Sequence, residues 1–134
     1  MQVHFSRDLG GALFHPCDLS WAVATSEERL RALEAAVREE PEDALGHYML
    51  GLEYHRLARL DDAANAFRRA VERNPDYTAA YRELGKTLRD AGHRQEAIRV
   101  LETGLAVAAK TKDLQTAKEM EVFLRRLRGS RSRA

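Results

Sequence analysis

Arg82, Lys86 and Arg89 stand four and three residues apart in the stretch AAYRELGKTLRDAG. On an α-helix that spacing puts all three cations on one face, where they repel one another unless a neighbour or a ligand compensates. The chemistry such a face offers is electrostatic capture of an anionic partner. Other clusters offer less. His15 and Cys17 bring an imidazole near a thiol, but Gly10-Gly11 and Pro16 lie around them in a stretch without the periodicity that would hold a catalytic geometry. The pair is read as coincidental. His47 and His55 are eight residues apart, about two helical turns, too far for a shared zinc ion without a further element. The eight glycines are scattered and form no phosphate-cradling loop. The chain is therefore read as non-catalytic, with no metal or cofactor.

Charge narrows the partner. With 22 basic and 21 acidic residues the formal net charge is +1, so the chain as a whole is no polycation built to coat nucleic acid. The distribution is uneven. Residues 26–62 carry five basic and ten acidic side chains (−5), and residues 63–134 carry sixteen and nine (+7). An anion-attracting site belongs to the second half. The single cysteine, Cys17, leaves no internal disulfide, which fits a reducing, cytoplasmic compartment. No run approaches the roughly 20 apolar residues that span a bilayer. Ala22-Val23-Ala24 has the small-x-small form of a signal cleavage site, but His15, Pro16 and Asp18 interrupt the apolar region before it.

The elements that must position the cations emerge from an internal repeat. A shift of 34 residues lays HYMLGLEYHRLARLDDAANAFRRAVERNP over YRELGKTLRDAGHRQEAIRVLETGLAVAA. Leu50-Gly51 falls on Leu84-Gly85, Tyr54 on Leu88, Ala63 on Ala97, Phe67 on Leu101, Ala70 on Gly104 and Pro75 on Ala109. Antiparallel helices approach closely only where facing side chains are small. Gly51 and Gly85 are expected to meet Ala63 and Ala97, with Tyr54, Leu88, Phe67 and Leu101 filling the remaining space. A half-copy precedes the repeats, with Leu33, Ala36 and Pro41 in the places of Phe67, Ala70 and Pro75. Thr25 and Glu28 form a capping box at its start. Beyond the repeats, Leu114, Ala117, Met120, Phe123, Leu124 and Leu127 recur at helical spacing behind Asp113, a suitable cap. Six helices are predicted, at about 26–40, 42–57, 61–74, 77–90, 94–110 and 113–128.

The pattern resembles the tetratricopeptide repeat family, whose 34-residue signature pairs Leu-Gly with later aromatic, Ala and Pro positions. The first repeat supplies Leu50, Gly51, Tyr54, Ala63, Phe67, Ala70 and Pro75, with His47 at the signature's first aromatic place and read as a packing residue. The second supplies Tyr81, Leu84, Gly85 and Ala97. It lacks the closing Pro at Ala109, so its second helix is free to run on. The resemblance implies an all-α, right-handed solenoid of stacked hairpins in a small protein built of these repeats alone. Its parts are an irregular arm over 1–25, a helical domain over 26–128 and a basic tail over 129–134. The domain divides into a half repeat 26–43, repeats 44–77 and 78–111, and a capping helix 113–128. The repeat arithmetic accounts for every helix without residues 1–24, so a chain beginning at Thr25 is expected to keep its thermal midpoint.

In this family the first helix of each pair lines the concave surface, and ligand contacts come mostly from its second, fifth, ninth and twelfth positions. Carried over, these are Leu45, Tyr48, Leu52 and His55 in the first repeat, then Ala79, Arg82, Lys86 and Arg89 in the second. No acidic residue is interleaved among those positions, so the three cations are expected to face the groove unpaired. The opposing reading is a solvated face softened by Glu83 and Asp90. Tyr48 and Leu52 stand where the family's carboxylate-clamping branch has Lys and Asn, which disfavours heat-shock protein tails as ligands. The expected function is a protein-interaction module or adaptor for an acidic, partly apolar peptide or partner surface, with a second copy of the chain as an alternative partner. The runner-up is nucleic-acid association through Arg125, Arg126, Arg128, Arg131 and Arg133, which lack interleaved aromatics. Gly85 and Ala97 are expected to tolerate enlargement least, and Arg94 to tolerate replacement.

Overall fold

The reciprocal cap expected at Thr25 starts the first helix: the Glu28 N–H donates to Thr25 Oγ1 at 3.1 Å, and the Thr25 N–H donates to Glu28 Oε1 at 3.0 Å. Residues 25–133 are described by a computed structural model, with side chains as far as Gly129. The arm expected over residues 1–25, including His15 and Cys17, lies outside this range except for Thr25. The helix opened by the cap, α1, spans Ser26–Glu39. It stops just before Pro41, because the residue preceding a proline is pushed out of helical geometry. Asp43 then caps α2, Ala44–Arg56, by accepting the Leu45 N–H at 3.0 Å.

A tight turn leads into α3, Leu60–Arg73. Pro75 follows it, and α4 spans Thr78–Asp90. The next turn contains Gly92 at φ 87°, and its counterpart 34 residues earlier, Ala58, takes φ 62° without the freedom of glycine. α5 covers Arg94–Thr111, 18 residues against 14 for α3, since no proline stands at Ala109 to end it. Lys112 in the left-handed region closes it. α6 runs Leu114–Arg133, so residues 129–133, expected as a tail after a helix ending at Arg128, continue the last helix. Asp113 caps it by accepting the Thr116 N–H at 3.1 Å, and also accepts the Thr78 hydroxyl at 2.5 Å, tying its start to that of α4.

Among the described residues these six helices are the only regular elements, and together they form an all-α helical-repeat solenoid. Each packs on the next, and α2–α4 and α4–α6 also touch. The main core gathers Ala63, Phe67, Leu84, Leu88, Ala97, Leu101, Met120 and Leu124, while Leu30, Leu50 and Ala66 form a smaller cluster near α1. The close crossings lie at the glycines, and the atoms nearest to them belong to large side chains, Phe67 and Leu101. A methyl group on Gly51 would come within 2.6 Å of the Phe67 ring, and one on Gly85 would overlap Leu101. Small residues on one helix thus make room for a large one on its partner. His47 is buried and its Nε2–H donates to the Pro41 carbonyl at 2.8 Å. Arg94, expected to be replaceable, donates to the Leu127 carbonyl and so joins α5 to α6.

Candidate functional site

The α2–α4 and α4–α6 contacts bring the first helix of each repeat and the terminal helix onto one side of the stack. The residues expected to line a groove stand on α2 and α4 in two different settings. On α2, Leu45 is 54% exposed, and Met49, one turn on and absent from the expected set, is 44% exposed. Tyr48 is half-buried, its ring 5.8 Å from Phe67 and 4.9 Å from Tyr77. Burial, then the nearby Glu83 charge, raises its phenol above the ordinary value. Tyr48 therefore ties α2 to Phe67 of the core and to Tyr77 at the start of α4. Leu52 is half-buried against the main core and also lines a hollow between α1 and α2, and His55 reaches across to α4, its ring nitrogen 3.0 Å from Asp90 Oδ2.

On α4 the expectation of three unpaired cations does not hold. Arg82 Nε lies 3.2 Å from Glu83 Oε2, and its Nη1 lies 2.6 Å from Glu119 Oε1 on α6. Burial acts to lower the Arg82 pKa, but the hydrogen bond to Glu119 and the charges of both carboxylates outweigh it and hold it above its usual value. The same bond, with a second from Gln115, holds the Glu119 carboxyl below the usual range. Lys86 Nζ is 3.9 Å from Glu83 Oε1, the loosest of these pairings. Arg89 sits 3.0 Å from Asp90 Oδ1, with its guanidinium 5.0 Å from the centroid of the Phe123 ring. Glu83 and Asp90 are the residues that the opposing reading of a softened face names, while Glu119 arrives from a helix 37 residues on and is not in the pattern of groove positions.

Where α4 and α6 meet, a cavity of about 500 Å³ opens, lined by Arg82, Glu83, Lys86, Glu119, Val122, Phe123 and Arg126. Three cations, two carboxylates and an apolar wall share it. The sequence gives the terminal helix a covering role, with Phe123 in its apolar stripe and Arg126 in the basic run, and does not place either of them or Glu119 beside Arg82 and Lys86. Their spacing of four and three residues on an extrapolated inner face was the available signal. Ala79 and Leu52 do not line this cavity. Among the described residues no three His, Cys, Asp or Glu side chains are grouped to hold a metal ion, and no helix is long and apolar enough to cross a membrane.

A family model described as tetratricopeptide repeat matches residues 54–120. The TPR repeat-containing protein PA0015 of Pseudomonas aeruginosa is 37% identical over 103 residues, which cover 77% of this chain and 98% of that protein. The chain belongs to the tetratricopeptide repeat family. The solution structure of protein BPP2914 from Bordetella parapertussis, 37% identical, superposes with a TM-score of 0.66 over 75% of this chain and 88% of that one. The TPR2B domain of yeast Sti1, solved as a complex with pHsp70, matches with a TM-score of 0.75 over 83% of this chain and 89% of that one. At 16% identity it shows the shared repeat fold alone.

Proposed function

We propose that this repeat protein is a non-catalytic protein-interaction module whose inner groove holds an acidic, partly apolar segment of a partner protein. The observation that carries the reading is the α4–α6 cavity, where Lys86 and Arg126 stand beside Val122 and Phe123. Lys86 shares Glu83 with Arg82 and lies at 3.9 Å from it. A pairing this long contributes about 0–1 kcal/mol, and Glu83 keeps Arg82 as its nearer partner, so a ligand carboxylate can draw Lys86 away at little cost. Val122 and Phe123 offer an apolar side chain a place to bury, and Leu45 and Met49 extend the apolar strip along α2. A soluble, interacting protein working in the cytoplasm fits these features. The Arg-rich end of α6 supports nucleic-acid binding less well, because Arg128 lies against Glu102 and no aromatic residue follows Phe123.

The test is fluorescence anisotropy with a short labelled peptide alternating Glu with Leu or Phe, and a second peptide with Lys in place of Glu. The acidic peptide is expected to bind more weakly as salt is added. The double variant Lys86→Ala, Arg126→Ala should lose about 0.5–1.5 kcal/mol per contact, roughly two- to tenfold in Kd for each. Equal binding of both peptides, or an unchanged Kd in the double variant, would contradict the proposal.

A further inference from the structure

A stack of helical hairpins buries an apolar face on each side of every repeat. Among the described residues the stack begins with the second helix of a hairpin, α1, and no described helix covers its other side. A hollow of about 400 Å³ lies there between α1 and α2, walled by Ala32, Leu33, Met49 and Leu52 with Glu53 and Arg56 at its rim. Ala32 and Met49 are exposed, and Leu33 and Leu52 are half-buried. The polar rim is satisfied internally: the Glu53 carboxylate, only 9% exposed, is held by Arg56 and lies 3.6 Å from Arg29. The hollow therefore offers carbon surface rather than hydrogen bonds, and its natural occupant is an apolar side chain.

We propose that this occupant is the chain's own segment preceding Thr25, anchored by Trp21. Three observations select it over a separate partner. Arg56 at the rim donates to Ser26 Oγ at 3.0 Å, so the chain enters α1 at the mouth of the hollow. Trp21 stands four residues before Thr25, a reach of up to about 14 Å at 3.3–3.6 Å per residue. Attachment also gives the segment an effective concentration in the millimolar range, so a modest apolar contact is enough to populate the docked state. Trp21 brings the largest such contact, since a tryptophan can bury on the order of 150–250 Å². Leu52 belongs both to the hollow and to the expected groove set, so the docked segment borders the N-terminal end of the groove. The proposal replaces the expectation that the stack is complete without residues 1–24.

Trp21 is the single tryptophan in the chain, which lets the intact protein report on this contact alone. Its emission is expected to be blue-shifted and shielded from iodide quenching. Met49→Glu on α2 and Ala32→Glu on α1, both at exposed positions, should each shift the emission to the red and raise quenching while the helical circular dichroism stays unchanged. Leu45→Glu, one turn away and outside the hollow, should leave the emission where it was. Wild-type emission like that of a free tryptophan peptide would overturn the docking, as would spectra that neither Met49→Glu nor Ala32→Glu moves. A blue shift that fades on dilution would assign the hollow to Trp21 of a second copy and overturn the intramolecular form.

Discussion

Arg82 donates to Glu119 on α6 while resting against Glu83 on its own helix, so removing it takes the nearest charged partner from two carboxylates at once and leaves them Gln115 and the more distant Lys86. Arg82→Ala is expected to cost about 1–2 kcal/mol of folding stability, whereas Lys86→Ala should stay within roughly 0.5 kcal/mol of wild type. Urea unfolding of the two variants separates these outcomes, and equal losses would contradict the difference in pairing. A triple Ala replacement of Arg82, Lys86 and Arg89 therefore confuses folding with binding, because it also removes the Arg89–Phe123 stacking contact. Lys86 and Arg126 are the cleaner pair for testing the groove. The one-face placement of Arg82, Lys86 and Arg89 was legible in the spacing, and so were Glu83 and Asp90 as the carboxylates that soften them, but Glu119 was not. Adjacent residues on a helix wheel point apart, yet long guanidinium stems bend back to Glu83 and Asp90, and Glu119 arrives only through tertiary packing.

The helices themselves were largely written in the repeat arithmetic, because Leu-Gly, Ala and aromatic positions 34 residues apart record which surfaces must approach. The residues facing each glycine were less legible: size restriction says that something large or close stands opposite, without saying which side chain it is. Gly51→Ala and Gly85→Ala should each destabilise by about 1–3 kcal/mol through overpacking against Phe67 and Leu101, less up to about 1 kcal/mol of improved helix propensity. Gly129→Ala meets nothing within 4 Å and should cost nothing. The opposite change should help in the α2–α3 turn. Ala58 holds φ 62° where the second repeat has Gly92, so Ala58→Gly is expected to gain about 0.5–1 kcal/mol, read as a higher thermal midpoint. That strain could have been anticipated from the repeat alignment, since an alanine stands on a glycine there. Arg94 could not, because its partner is a backbone carbonyl on α6.

Across the molecule, carboxylates fasten neighbouring inner-face helices. Glu119 is held low by its bond to Arg82, and Asp113 by its bonds to Thr78 and Thr116. Burial acts to raise Asp90, but the hydrogen bonds from His55 and Arg89 outweigh it and leave it below the usual range. A carboxyl lowered in the folded state adds stability that is complete above its unfolded value, about 3.9–4.3, and is lost as pH falls through the folded value. The thermal midpoint should therefore hold level through this effect above about pH 5 and decline below about pH 4. Arg82→Gln should flatten that acid limb, and parallel limbs would show that the pair is not linked to folding. The proposed binding site lies between helices that these pairs join, α4 and α6. Its most direct test is the pattern of backbone amide shifts when isotope-labelled protein is titrated with the acidic, apolar peptide. Shifts are expected on α2, α4 and α6 and strongest around Lys86, Phe123 and Arg126, and shifts confined to α3 and α5 would contradict the account.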